Sequence, residues 1–170
     1  MLTNGALMTQ DVSTTFGFLP PPTTLEAFLL GQDYAAIPLH TYPTGHFYTQ
    51  VLLNEQPARF LVDTGSGFTL VDVKQKDNFH IQSIPSTDVG TGAGGTGLVI
   101  ELSAHNSLRL GSINFTDCLL RVLTLESINA RFREFNYPEI DGALGADLLT
   151  EGQAIIDYVN LRLYLKRAVA

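Results

Sequence analysis

The stretch "ARFLVDTGSGFTLVD", Ala58 to Asp72, holds the residues best placed to do chemistry. An apolar run ends in a carboxylate, Asp63, and Thr64, Gly65 and Ser66 follow at once. This order puts an acid at a sharp turn. Glycine lets the backbone approach closely there, and the small hydroxyls can orient the carboxylate oxygens. Two other motifs offer different chemistry. Ser66 in "TGSGF" fails as a nucleophile elbow, because Thr64 stands where G-x-S-x-G requires glycine. "VGTGAGGTGLVI", Val89 to Ile100, matches G-x-G-x-x-G at Gly90, Gly92 and Gly95. A dinucleotide fingerprint needs a strand before it and a helix after it. Here a loop-like "HIQSIPSTDV" with a proline precedes the glycines, and the β-branched "LVIEL" follows. The glycines therefore read as the tip of a hairpin between two strands.

The elements that must position Asp63 are short strands. "HFYTQVLLN" and "ARFLVD" read as two strands joined by a tight turn at Asn54–Pro57. "FTLVDV", "LVIELSA", "SLRLGSINF", "CLLRVLTL", "QAIIDYV" and "LRLYLKRA" read as further strands. "GADLLTEG" reads as one short helix with Gly152 as its stop. Regularly spaced strands with few helices indicate an all-β domain. Residues 1–36 read as an N-terminal arm. It comprises a polar linker ending in "LPPP" and a short helix in "TTLEAFLLGQ", with a threonine N-cap and Gly31 as its stop. Residues 37–170 read as the domain.

Three segments in this order resemble the retropepsin-like aspartic peptidases of bacterial type. "FLVDTGS" resembles their catalytic loop, "VGTGAGGTGLV" their flap hairpin, and "DGALGADLL" the hydrophobic–hydrophobic–glycine element that braces the loop. The closing strands in "AIIDYVNLRLYL" fit as well, so the resemblance spans about Gly45 to Leu165. It implies a closed β-barrel lobe with a flap and one short helix, and an endopeptidase that needs no cofactor or metal. Aspartic catalysis needs two carboxylates close together, so that like-charge repulsion keeps one protonated. This chain has a single Asp-Thr-Gly. Asp141 lacks the Thr-Gly that follows a catalytic acid, and Asp147 and Asp157 read as structural through capping or hydrogen bonding. The second acid must come from another copy, which implies a homodimer with Asp63 from each subunit in one site.

The resemblance also assigns roles residue by residue. Thr64 is expected to bond across the twofold axis, Gly65 to offer its carbonyl to substrate, and Ser66 to bond the outer carboxylate oxygen. Gly92, Ala93, Gly94 and Gly95 are expected at the flap tip, closing over an extended polypeptide that binds as an added strand. Asp141, Gly142, Leu144 and Gly145 are expected in the brace. Val89 stands where pepsin's flap carries a tyrosine, a departure shared with the dimeric subgroup. The alternative activity is a catalytically silent or weakly active peptide-binding module of the same fold.

The remaining signals set bounds. An apolar fraction of 45% and a charged fraction of 16% fit an ordered globular protein. Ten basic and seventeen acidic residues give a net charge of −7, which repels phosphate backbones and argues against nucleic acid as a partner. No window is apolar enough over ~20 residues to span a bilayer. The N-terminus lacks the basic start and apolar core of a signal peptide, and the compartment stays open. Cys118, the only cysteine, reads as a buried strand residue. His40, His46, His80 and His105 are scattered without metal-ligand spacing, and Asn114–Thr116 is a sequon explained by chance. Phe68 and Leu70 read as core. "RFREFNYPE", Arg131 to Glu139, reads as an exposed loop, or as a rim of the substrate groove.

Overall fold

The computed structural model describes residues 24–92 and 95–166, with the side chains of 88–96 left out. The polar linker of the arm and the expected flap-tip residues Ala93 and Gly94 lie outside the described residues. Thr24 caps α1 (Leu25–Leu30) by accepting from the Ala27 N–H at 3.2 Å, and Leu29 is buried. β1 (Tyr34–Pro38) pairs with β11 (Arg162–Lys166), which also pairs with β10 (Ile155–Asp157). The last residues assigned to the arm are thus laced into this three-stranded sheet.

The second sheet carries the chemistry. β2 (His40–Thr41), β3 (Phe47–Leu53) and β4 (Gln56–Val62) lead to the acid. β5 (Leu70–Asp72) and a 3-10 turn at Val73–Gln75 follow it. β6 (Ile84–Gly92), β7 (Gly95–Leu110) and β8 (Ile113–Leu123) form a long meander. α2 (Glu126–Glu134), β9 (Gly142–Leu144) and α3 (Ala146–Glu151) complete the domain. The strand order is β2-β3-β4-β9-β5-β8-β7-β6. β3 pairs with β7 as well, at Leu52↔Arg109 and Leu53↔Leu108, so the ladder returns to its start.

Alternation along β4 splits the interior in two. Phe60 and Val62 face a main core with Leu53, Leu108, Leu120 and Leu163. Leu61 faces a second core with Tyr42, Ile100, Leu123, Phe132, Ile140 and Ala143.

Four local readings are corrected. "SLRLGSINF" is not one strand: Gly111, at φ 56°, turns the chain between β7 and β8. The stretch before the glycines is strand β6, in which Pro85 is tolerated because β6 lies at the sheet edge. "RFREFNYPE" is helical in its first half. The pattern begins at Leu125, and Leu125, Asn129 and Phe132 bury one face, which a window starting at Arg131 does not contain. Phe68 is not core: it is 48% exposed, with the Arg121 guanidinium carbon 3.0 Å from its ring centroid. Leu70 packs half-buried against the second core.

Candidate active site

Asp63 leaves the end of β4 while still held by the ladder, because its N–H donates to Leu144 O of parallel β9 at 3.0 Å. The chain then turns. Ser66 N–H donates to Asp63 O at 3.2 Å, and Gly65 N–H donates to Asp63 Oδ1 at 3.0 Å. One carboxylate oxygen is thereby fixed, and the carboxylate stays exposed to solvent together with Thr64 and Gly65. The Ser66 hydroxyl donates to Phe68 O at 2.7 Å, tightening the turn, instead of reaching the Asp63 carboxylate in this single chain. Thr64 lines an open groove of about 390 Å³ with Ala146, Leu149, Thr150, Gln153, Ala154 and Ile156.

The loop is braced from beneath. Ala146 N–H donates to Ser66 O at 2.8 Å. Asp147, in the first turn of α3, accepts from Thr69 N–H at 2.9 Å and from Thr69 Oγ1 at 2.7 Å. Thr69 Oγ1 in turn accepts from Gly145 N–H at 3.1 Å. The structural reading of Asp147 therefore has a definite content, and Thr69, fully buried, is the partner that the sequence reading missed. Its signal is a hydroxyl six residues after the acid, inside an otherwise apolar strand. β9 threads between β4 and β5, with Phe60↔Gly142 and Leu70↔Ala143 in register. A Cβ at Gly145 would stand on the Phe68 carbonyl, and one at Gly142 on Leu70 O and the Phe60 ring. Leu144 is fully buried behind the acid.

Asp141 lies beside the brace. Its Oδ2 accepts from Arg59 N–H at 2.8 Å, and its backbone pairs with Arg59 O and Asp72 N. Burial pushes its carboxyl above the usual aspartate range, against the pull of the Arg59 N–H and charge. Asp157 accepts from Val159 N–H, Asn160 N–H and Asn160 Nδ2, which hold its carboxyl low. Cys118 is buried, and burial pushes its thiol up to about 11. Among the described residues no group of three His, Cys, Asp or Glu side chains could hold a metal.

Opposite the loop, β6 and β7 form a hairpin paired at Val89↔Val99, Gly90↔Leu98, Thr91↔Thr96 and Gly92↔Gly95. The glycines thus sit between two strands, as the hairpin reading requires and the nucleotide reading does not.

An Asp at this turn can take a proton from water but cannot also donate one in the same step. The chain offers one exposed Asp-Thr-Gly carboxylate.

A search of the curated proteins finds no match. Among solved structures, a retropepsin-like aspartic protease from Rickettsia conorii superposes with TM-score 0.54 at 18% identity, over 79% of this chain and 92% of that one. The protease of EIAV, solved with the inhibitor HBY-793, superposes with TM-score 0.50 at 19% identity, over 69% of this chain and 99% of that one. The family model described as "Aspartyl protease" matches residues 49–148, which takes in the acid, the hairpin and the brace. By that match the chain belongs to the aspartyl protease family, and its fold is retropepsin-like.

Proposed function

We propose that the protein is an aspartic endopeptidase that acts as a homodimer, with one Asp63 from each subunit forming the catalytic pair. The observation that carries this reading is the Asp63 carboxylate itself. It is exposed, oriented by the Gly65 N–H, and braced by Thr69, Asp147 and β9, yet single in the chain. A second copy supplies the missing partner. The groove that starts at Thr64 is the face such a copy covers, and Thr64 is placed to bond across the axis.

In the pair, one carboxylate is ionised and one carries the shared proton. A water between them loses a proton to the ionised oxygen, and its oxygen attacks the peptide carbonyl carbon. The protonated carboxyl donates to the carbonyl oxygen, giving a tetrahedral diol. Proton return to the amide nitrogen then breaks the C–N bond. The β6–β7 hairpin covers an extended polypeptide, with Gly92, Ala93, Gly94 and Gly95 at its tip and the Gly65 carbonyl free for the substrate backbone.

Asp63→Asn tests the proposal. The variant is expected to fold and associate like the parent and to lose peptide cleavage by at least ~10³-fold, as removal of an essential proton-transfer group does. Cleavage at the parent rate would overturn the mechanism. A parent that binds peptides but cuts none would favour the silent binding module.

A further inference from the structure

We infer that α2 and the segment leading from it to β9 form a side wall of the substrate groove, whose aromatic face takes a large apolar or aromatic side chain of the polypeptide several residues from the scissile bond. The inference rests on the endopeptidase reading and deepens it.

The second core shows where the wall stands. The ladder continues through the Asp63 N–H, so alternation puts the Asp63 side chain on the same face as Leu61. Leu61 belongs to the second core, as does Ala143, its register partner on β9. The same core holds Ile100, with Leu98 and Leu102 packed against it, from the strand that descends from the hairpin tip. It also holds Phe132 of α2, with Ile128 packed against it. One apolar surface thus joins the floor beside the acid, the root of the hairpin and α2. A peptide lying between floor and hairpin runs along it.

At its outer end this surface becomes a chain of rings. Tyr48, opposite Leu61 on β3, lies 4.7 Å from Tyr42, which lies 4.4 Å from Phe132 and 5.9 Å from Tyr137. Tyr137 stacks on Phe135 at 5.8 Å. Tyr42 is buried and its hydroxyl donates to Pro138 O at 2.7 Å, which fixes the segment. Phe135, by contrast, is 46% exposed, and Tyr48 and Tyr137 are half-buried. Arg59 lies over the Tyr48 ring at 5.4 Å and Arg131 over Phe135 at 5.0 Å. Arg59 also donates to Glu139 O at 2.8 Å, tying the ring segment to β4. Arg59 precedes Asp63 by four residues, about 13 Å at the strand rise, so a peptide side chain about four residues from the scissile bond reaches the rings. An aromatic side chain stacked there gains area and ring contacts that alanine cannot.

The test is a cleavage profile over peptides that differ only in the distal residue, aromatic against alanine. The parent is expected to prefer the aromatic peptides. Phe135→Ala, a change at an exposed ring, is expected to reduce that discrimination about tenfold, and Tyr137→Ala to do the same. An unchanged discrimination ratio in both variants would overturn the wall. If the parent cuts no peptide, the endopeptidase reading fails by itself. Binding of a fluorescent aromatic-bearing peptide then decides the wall separately. Binding weakened by Phe135→Ala supports it, and absent or unaltered binding overturns it.

Discussion

Gly145 shows how little room the catalytic loop has. A methyl group there would meet the Phe68 carbonyl and come within 2.7 Å of Thr69 N, and these are backbone atoms that cannot swing aside. Gly145→Ala is expected to cost about 3 kcal/mol and to abolish activity in whatever folds, because the displaced segment carries Asp63. Urea unfolding with a parallel peptide assay reads both effects; a fully active variant of parental stability would contradict the close approach. Asp141 raises a different question, since its carboxyl is buried and its pKa lies above the ordinary value. The folded state therefore holds that proton more tightly than the unfolded chain does. The stability this group contributes is present below the ordinary aspartate pKa of ~4 and is lost as pH rises through the higher folded value. At neutral pH the ionised form is a burden. Asp141→Asn keeps an oxygen for the Arg59 N–H without the charge, so it is expected to melt above the parent at pH 7. The gap should close as pH falls into the range where Asp141 takes up its proton. Melting curves across pH check it, and a gap that widens in acid would refute the assignment.

Among the elements, the β3–β4 hairpin carries a local conflict that can be relieved. Its two-residue turn, Asn54–Glu55, has φ of 47° and 65°, the left-handed region at both central positions. Asparagine accepts this, and Asn54 also bonds Phe79 O, Asn106 Oδ1 and Ser107 N–H. Glutamate does not favour it, and its ion pair with Arg109 at 3.3 Å is exposed and worth little. Glu55→Gly is expected to stabilise the domain by roughly 0.5 kcal/mol or more, read as a rise in the urea midpoint. A lower midpoint would show that the Arg109 contact outweighs the strain. This turn was legible in the sequence because an Asn-bearing break stands between two alternating runs. The acid, the hairpin and the brace were legible for the same reason: each is a contiguous word whose spacing is tied to backbone geometry. α2 was not, since its buried face needs Leu125 and Phe132 read together, and the polar Asn129 interrupts the apolar stripe. Asn129 is buried because it donates to Ile140 O at 3.0 Å and accepts from Ile140 N–H at 3.0 Å. That partner lies eleven residues away, beyond any helical pattern. Thr69 was missed likewise, because its use depends on Asp147, far along the chain.

For the whole molecule, the decisive property is that the main fold is complete in one chain while the proposed chemistry is not. The β3-β4-β9-β5-β8-β7 ladder closes on itself, so the scaffold of the site needs no partner for its backbone hydrogen bonds. The proposed site needs a second Asp63 all the same. Association can then be separated from folding by mixing. If subunits exchange at random, parent combined with an equal amount of Asp63→Asn leaves about one quarter of the dimers with two acids. Activity is expected to fall to about half that of the parent alone, and to about a quarter with a threefold excess of the variant. A mixed pair holds one carboxylate and one amide, and the amide cannot take the place of the ionised group. A protein that works as a monomer gives a different curve, with activity fixed by the amount of parent and indifferent to the added variant. Dilution supplies an independent axis: specific activity should decline as concentration falls through the dissociation constant, whereas a monomeric enzyme keeps it constant. Titration of the variant at fixed parent concentration, after time for exchange, distinguishes the two. A flat titration would remove the shared site, and with it the reason for Thr64 to face the groove beside the loop.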